Sequence, residues 1–258
     1  MSSKATFLAA AFALAAFAVP AHADRLVGLV DGKTLVTIDP ATRMVSRPVE
    51  ISGVGPLVGI DRRPADGMLY GLAADGTIVT IDPQTGRATV KSKLSETLRG
   101  NMSITVDFNP VADRLRVMTP DGVSLRVNVD DGKAVVDGSH KFKEGDANAA
   151  RPPRVVAGAY TNSVKGTTAT ALYNIDAGSN ALLSQAPPND GILNTIGSLG
   201  ITLSGPAAFN IASMNGTNAA WLVTGGNVYS VDLQTGRATM SGAIQGLRGS
   251  LSHIAWVD

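Results

Sequence analysis

Short runs of alternating apolar and polar residues fill most of the chain, and turn-forming residues separate them. In the clearest stretch this alternation predicts four strands, at residues 57–60, 68–73, 77–81 and 88–91. Asp-Gly pairs stand in the first two gaps, and a Pro and a Gly stand in the third. These residues favour tight turns because they accept left-handed or preset backbone angles. The pattern therefore predicts a unit of four antiparallel strands joined by hairpins.

This unit recurs along the chain. Residues 82–89 return as residues 232–239 with seven of eight identical, and the Gly-Pro pair at Gly55 returns at Gly205, with the same offset of 150. Weaker copies are marked by aspartates that end short apolar strands, at Asp39, Asp82, Asp130, Asp176 and Asp232. Their spacings of 43, 48, 46 and 56 residues are typical of the blades of a β-propeller. Five such units fit the length of the chain.

The chain begins inside a unit, which indicates how the ring closes. Predicted strands at residues 26–29, 34–38 and 45–51 match the second, third and fourth strands of a blade, and the matching first strand lies at residues 251–257. Pairing of this last strand with the first unit would remove two open sheet edges. We therefore predict an all-β protein, a β-propeller of five four-stranded blades closed by the C-terminal strand. A β-sandwich with a decayed repeat is the alternative.

The N-terminal segment has the layout of a secretory signal. Lys4 precedes an apolar run at residues 7–19, and Ala21 and Ala23 form a small-residue cleavage pattern. The run is 13 residues long, whereas a membrane-spanning helix needs about 20. We expect a signal peptide at residues 1–23 and a single propeller domain at residues 24–258. The protein would then be periplasmic or extracellular in a bacterium, without a membrane span after cleavage.

Composition excludes several classes of function. The 22 Lys and Arg residues balance the 21 Asp and Glu residues and are scattered, so nucleic acid is not expected as a partner. The absence of cysteine excludes disulfides, thiol catalysis and cysteine-bound zinc. No Gly-x-Ser-x-Gly, His-Glu-x-x-His or phosphate-loop motif occurs. Of the two histidines after the signal, His140 is interpreted as a solvated loop residue and His253 as a packed or edge residue of the closing strand.

Polar residues near the ends of the predicted first strands are the best candidates for a site. Asp61 and Asp107 end the first strands of adjacent units, and Asn210 stands near the equivalent place in a later one. First strands line the channel of a propeller, so these groups would converge on a cation or a polar ligand. The interpretation that the sequence favours is that each aspartate bonds its own turn. Two long irregular segments, residues 143–153 and 185–195, are either binding loops or connections between units.

Several motifs resemble those of a known bacterial family. They are residues 57–72, Asp107-Phe-Asn-Pro within residues 107–117, Gly145-Asp-Ala-Asn, Ala159-Tyr-Thr-Asn, and Pro187-Pro-Asn-Asp-Gly within residues 187–197. In order and spacing they resemble the family catalogued as domain of unknown function 4394, over nearly the whole predicted mature chain. This resemblance implies an exported protein with propeller-type repeats and no assigned activity. Members tend to carry Asp where this chain has Asn210.

We expect a non-enzymatic module of the cell envelope that binds a small ligand or an envelope protein, as a monomer and without a cofactor. No catalytic residue and no metal ligand is predicted. The expected polar contacts to a ligand are Asp61, Asp107, Asn109, Arg114, Asn148 and Asn162. One alternative is a metal-assisted hydrolase or lactonase of the propeller type with a divalent cation in the channel, although no ligand motif for the cation is present. A structural envelope component is the other.

Overall fold

A computed structural model describes residues 25–46, 48–98 and 104–257. It shows an all-β protein with five sheets, which are the five blades of a β-propeller. The predicted fold is therefore confirmed, and the sandwich alternative is wrong. The predicted signal peptide, residues 1–23, lies outside the described residues. Within the described part of the chain, no helix is long and apolar enough to cross a membrane.

Each blade is an antiparallel sheet of four strands, and the fourth blade carries a short fifth strand. Blade 1 contains β1 (Arg25–Val30), β2 (Thr34–Ile38), β3 (Val49–Glu50) and β21 (Leu251–Val257); blade 2 contains β4 (Leu57–Arg62), β5 (Leu69–Ala73), β6 (Thr77–Ile81) and β7 (Ala88–Lys93); blade 3 contains β8 (Thr105–Asn109), β9 (Arg114–Met118), β10 (Ser124–Val127) and β11 (Ala134–Val136); blade 4 contains β12 (Lys141–Phe142), β13 (Val155–Tyr160), β14 (Leu172–Asp176), β15 (Ala181–Gln185) and β16 (Ile192–Ser198); blade 5 contains β17 (Ala207–Met214), β18 (Thr217–Thr224), β19 (Asn227–Val231) and β20 (Ala238–Ala243).

The innermost strands are β21, β4, β8, β13 and β17, and each packs on the next around the ring. The ring closes as predicted, because β21 pairs antiparallel with β1 from Arg25 opposite Val257 to Val30 opposite Leu251. The predicted fourth strand of blade 1, residues 45–51, is wrong in extent: β3 is only Val49–Glu50. Pro48 lacks the N–H that a strand ladder needs at that point.

The repeated aspartates are turn residues. The carboxylate of Asp82 accepts a 2.8 Å hydrogen bond from the backbone N–H of Gln84, and Asp232 and Asp39 make the same kind of contact in their own turns. In blade 3 this position belongs to Asn128, not to Asp130 as predicted, since Asn128 accepts from the backbone of Asp130. Asp176 ends a strand as predicted, but this is the second strand of blade 4, whereas Asp39, Asp82 and Asp232 follow the third strands of their blades. An alternating apolar strand looks the same at either place, so the sequence pattern did not separate them.

Apolar side chains fill the spaces between blades, and the channel itself is filled near Gly59. A Cβ atom at Gly59 would lie 2.3 Å from Val106 Cγ2 and 3.2 Å from His253 Nε2. Three inner strands therefore meet without free space at this depth. The open part of the channel lies beyond Gly59, towards the C-terminal ends of the inner strands.

The two long irregular segments both connect strands of blade 4. Segment 143–153 joins β12, which pairs parallel with β16 through Lys141 opposite Ile192, to β13. Segment 185–195 contains a single 3₁₀ turn, Pro188–Asp190, and joins β15 to β16. Neither segment connects two units, so that alternative is wrong for both, and a binding role for them stays a prediction.

Candidate functional site

Two buried carboxyl groups lie on neighbouring inner strands, Asp61 on β4 and Asp107 on β8. Asp61 Oδ2 accepts a 2.7 Å hydrogen bond from the backbone N–H of Phe108, and Asp107 Oδ1 accepts a 2.8 Å bond from the N–H of Tyr160. Each carboxyl group thus joins its blade to the next one. Bonding within the local turn, the interpretation that the sequence favoured for both aspartates, is therefore wrong.

Burial makes these two groups unusual acids. Burial raises the pKa of Asp61 to about 7, against the lowering effect of the N–H groups of Phe108 and Arg62 and of the Arg62 charge. Burial also raises the pKa of Asp107 well above its usual range, and the charge of Asp61 raises it further. Two neighbouring carboxyls in a dry environment resist simultaneous ionisation unless a positive charge is nearby. The pair therefore titrates as a unit.

A cavity of about 210 Å³ opens at the C-terminal ends of four inner strands or the turns that follow them. Its wall includes Asp61, Arg62, Ser163, Asn210, Ser213 and Trp256. Asp61 and Asn210 belong to β4 and β17, which are not neighbours in the ring. The cavity therefore lies at the mouth of the channel, between strands from different blades.

Asn210 contributes a buried acceptor atom to this wall. It is 6% exposed, and within the described structure its Oδ1 atom has no hydrogen-bond partner. An unpartnered buried polar atom costs about 1–3 kcal/mol. Across the β17–β18 pair, Trp221 lies opposite Asn210 and its buried Nε1 also has no partner there. Trp221 is not among the residues that line the cavity.

The neighbouring hydroxyl groups are held by the protein. Ser213 Oγ lies 2.7 Å from Asn218 Oδ1 and accepts from the backbone N–H of Ser163 at 2.9 Å. Ser163 Oγ donates to the carbonyl oxygen of Tyr160 at 3.2 Å. Hydrogen bonds within the protein therefore hold both serine hydroxyls, whereas the Oδ1 acceptor of Asn210 has no donor within the described structure.

The other predicted contacts have structural roles. Asn109 Oδ1 accepts from the backbone N–H groups of Val111 and Ala112, and the Arg114 guanidinium donates to the carbonyl oxygens of Ala112 and Asp113. Both residues therefore stabilise the β8–β9 turn. Whether they also contact a ligand stays a prediction.

Asn162 and Asn148 are widely separated. Asn162 precedes Ser163 of the cavity wall, has a left-handed φ of 55° and exchanges hydrogen bonds with Asn218. Asn148 donates to Thr195 Oγ1 at 2.9 Å, on β16, the fourth strand outward in its blade. Of the six predicted residues, the structure brings Asp61 and Asp107 together, places Asn162 beside the cavity and leaves Asn148 at the outer edge of blade 4.

Sequence reasoning missed a polar cluster between blades 3 and 4. Arg116 is 1% exposed and donates to Tyr160 Oη, Ser124 Oγ and Asn189 Oδ1, and it pairs with Asp137. No signal in the sequence pointed to it, because Arg116 stands at the polar position between Leu115 and Val117 of β9.

His140 lies near this cluster, and the prediction that it is a solvated loop residue is wrong. It is buried, and burial together with the charge of Arg116 lowers its pKa to about 4. His253 is packed as predicted, with Nε2 at 2.5 Å from the carbonyl oxygen of Ile104. Among the described residues, no three His, Asp or Glu side chains form a group that could hold a metal ion.

A family model described as "Domain of unknown function (DUF4394)" matches residues 34–255. The chain belongs to this family. The match runs from β2 into β21 and so includes Asp61, Asp107 and Asn210 of the channel mouth. The resemblance noted in the sequence is confirmed. No curated protein matches the sequence of this DUF4394 chain.

Solved structures are similar to this DUF4394 chain in fold. A protein of unknown function from Bacteroides thetaiotaomicron has a TM-score of 0.52 at 12% identity, covering 90% of this chain and 70% of the other. A protein of unknown function from Bacteroides caccae has a TM-score of 0.46 at 14% identity, covering 88% and 77%. Dihydro-heme d1 dehydrogenase NirN in complex with DHE has a TM-score of 0.42 at 12% identity, covering 86% and 44%. The first of these similarities supports the fold alone.

Proposed function

We propose that this DUF4394 protein is a non-enzymatic binding module that takes a small polar ligand into the channel mouth. The observation that carries this proposal is Asn210, whose Oδ1 is buried in the wall of a 210 Å³ cavity without a partner among the described residues. Natural proteins leave few buried polar atoms unpaired, and such atoms mark places where a ligand or water completes the bonding. A water molecule occupies about 30 Å³ of liquid, so the cavity suits a small solute.

The chemistry of the wall favours binding over turnover. Ser163 and Ser213 are the hydroxyl groups named in the wall, and both are engaged by protein groups instead of a histidine base. His253 is held by the carbonyl oxygen of Ile104 and its pKa is lowered to about 4, so it is a poor base at neutral pH. The lining thus offers contacts for recognition without an activated nucleophile.

A thermal-shift screen of small polar metabolites tests this proposal. Some member of the panel should raise the melting temperature of the wild-type protein through linkage. The shift should be lost in Asn210→Leu and kept in Asn194→Leu, a matched change on the outer strand β16. Equal shifts in both variants would remove the cavity as the site, and no shift with any compound would contradict the binding function.

A metal-assisted hydrolase is the second candidate, and the adjacent carboxyls of Asp61 and Asp107 favour it. Oxygen ligands of this kind suit hard divalent cations. Elemental analysis of the purified protein, with melting curves in calcium, in zinc and without metal, separates the two functions. A stoichiometric metal and a raised melting temperature would support the hydrolase. If the protein contains no metal and its melting temperature does not rise, the binding module without a cofactor is the function that remains.

We also propose that the protein is exported to the periplasm or beyond and acts there as a monomer. The support is the tripartite layout of residues 1–23, with Lys4, an apolar run and Ala21-His-Ala. Intact-mass analysis of the protein from a periplasmic extract should give a chain that begins at Asp24, and light scattering should give the mass of one chain. A full-length chain confined to the cytoplasm would contradict export.

A further inference from the structure

The cavity wall carries two acceptor groups on different strands beside the guanidinium of Arg62. Asp61 presents a carboxyl group on β4, and Asn210 presents an unpartnered Oδ1 on β17. Because these strands are not adjacent in the ring, the two groups approach the cavity from different sides. A ligand that satisfies both must supply hydrogen-bond donors on one centre. Trp256 adds an aromatic side chain to the same wall.

Charge around Asp61 favours a monovalent cation. The charged groups that act on the carboxyl pair are Arg62, on the strand of Asp61, and the two carboxyls themselves. On the other inner strands the titratable groups are His253 of β21 and Tyr160 of β13, while β17 contributes the neutral Asn210. His253 is neutral near pH 7 because burial lowers its pKa, and Tyr160 is neutral because burial raises its pKa. Once both carboxyls are ionised, they and the guanidinium carry a single net negative charge, which one ammonium group neutralises.

We propose that the channel-mouth cavity binds the primary ammonium group of a small organic cation between the Asp61 carboxylate and Asn210 Oδ1, with Trp256 beside the alkyl part. This inference rests on the proposed binding function and names its ligand class. An ammonium group has three N–H donors and no acceptor, so it can donate to both the Asp61 carboxylate and Asn210 Oδ1. A cation beside an indole ring gains further attraction from the ring face.

Binding of this cation is coupled to the release of a proton. Near neutral pH the carboxyl pair holds a proton because burial and mutual repulsion oppose full ionisation. When the ammonium group enters, the carboxyl O–H bond breaks, the proton passes to solvent, and the carboxylate accepts an N–H from the ligand. The affinity for the cation therefore rises with pH until the pair is fully ionised.

Calorimetric titration with three probes of equal chain length tests the ligand class: butylammonium, 1-butanol and butyrate. We expect saturable binding of butylammonium only. Its apparent heat should differ between phosphate and imidazole buffers at pH 6.5, because these buffers take up the released proton with different heats and neither carries a primary ammonium group. The affinity should fall by up to about tenfold for each pH unit below the titration of the pair.

Three variants locate the effect. Asp61→Asn should weaken butylammonium binding at least tenfold and remove its pH dependence. Asp190→Asn, the same chemical change at an exposed position of segment 185–195, should leave both unchanged. Asn210→Asp adds a third carboxyl group and should tighten binding, which keeps the inference testable if Asp61→Asn does not fold.

The outcomes separate this inference from the broader function. Equal or tighter binding of 1-butanol or butyrate, or butylammonium binding that does not depend on pH, overturns the ammonium site and leaves a binding module with another ligand class. If butylammonium fails while another compound gives an Asn210-dependent thermal shift, the ligand class is wrong and the binding function stands. If no compound gives such a shift, both fail.

Discussion

His253 Nε2 lies 2.5 Å from the carbonyl oxygen of Ile104, although His253 belongs to the inner strand of blade 1 and Ile104 leads into that of blade 3. The contact passes over Gly59 of blade 2, where a Cβ atom would lie 3.2 Å from the same imidazole nitrogen. Three inner strands are therefore locked together below the channel mouth. These packed strands form a floor at the depth of Gly59.

Gly59→Ala should disrupt this floor. The added methyl group would overlap Val106 Cγ2 at 2.3 Å, so we expect a loss of about 1–3 kcal/mol or more from the free energy of unfolding. Gly55→Ala is the matched control, because nothing lies within 4 Å of a Cβ at that position. Urea denaturation of both variants measures the difference. Similar stability would show that the inner strands separate more easily than the packing indicates.

His253 should make the protein sensitive to acid. Burial lowers its pKa to about 4 from a usual value of 6.5. Between these two pH values the folded state therefore binds fewer protons than the unfolded state. Its contribution to stability is complete above pH 6.5 and declines as the pH falls towards 4, by at most about 1.4 kcal/mol per pH unit.

His253→Gln keeps an N–H donor for Ile104 and cannot titrate. Denaturation at pH 4.5 and pH 7 should show a smaller acid-induced loss of stability than in the wild type, although His140 retains its own share because its pKa is also lowered to about 4. An unchanged acid-induced loss would contradict a buried neutral His253.

Asp61 should act with the opposite sign. Because burial raises its pKa to about 7, the folded state holds a proton that the unfolded state has lost above pH 4. The stabilising effect of protonation is complete below pH 4 and is lost as the pH rises through 7, which amounts to at most about 4 kcal/mol. Asp61→Asn keeps an acceptor for Phe108 N–H and removes this loss.

Melting curves from pH 5 to pH 8 test this effect. As the pH rises from 5 to 8, the melting temperature of the wild type should fall relative to that of Asp61→Asn. At pH 8 the variant should melt at the wild-type temperature or above it. Asp190→Asn, at an exposed position, should follow the wild type. Parallel curves for all three proteins would mean that Asp61 is ionised throughout.

The buried ion pair of Arg116 and Asp137 should be costly to break. Their side chains are 1% and 4% exposed, so Asp137→Asn would leave a buried guanidinium charge and cost about 3–5 kcal/mol. Asp75→Asn breaks the pair with Lys93, in which both side chains are at least 60% exposed, and should cost under about 1 kcal/mol. Comparable losses in the two variants, measured in urea, would contradict the role of Arg116 as a buried tie between blades.

The sequence predicted the parts of the fold that depend on local chemistry. Hairpin turns such as Asp82 with its bond to Gln84 are set by neighbouring residues, and the repeat carried the same turn to Asp232. Closure by β21 followed because the repeat shows which strand is missing from the first unit. The repeat also allowed Asp61 and Asp107 to lie together, since equivalent positions of first strands meet in a ring, but the local sequence favoured turn bonding for each aspartate.

Contacts between distant segments were not predictable in this way. Asn189 and Arg116 are 73 positions apart, and nothing in either local sequence announces their hydrogen bond. The burial of His140 depends on the same packing. Asn148 stands in a polar loop like a ligand contact, yet its amide is used by Thr195, 47 positions away. Such pairings arise only once the blades are assembled.

The melting temperature of Asn210→Leu, measured with and without a ligand from the screen, tests most directly whether the channel mouth is the binding site. A group kept for binding is expected to cost stability in the free protein, since Asn210 Oδ1 has no partner within the described structure. We predict that the unliganded variant melts at or above the wild-type temperature and loses the ligand-induced shift. A variant that melts well below the wild type, or one that keeps the full shift, would contradict the channel mouth as the binding site.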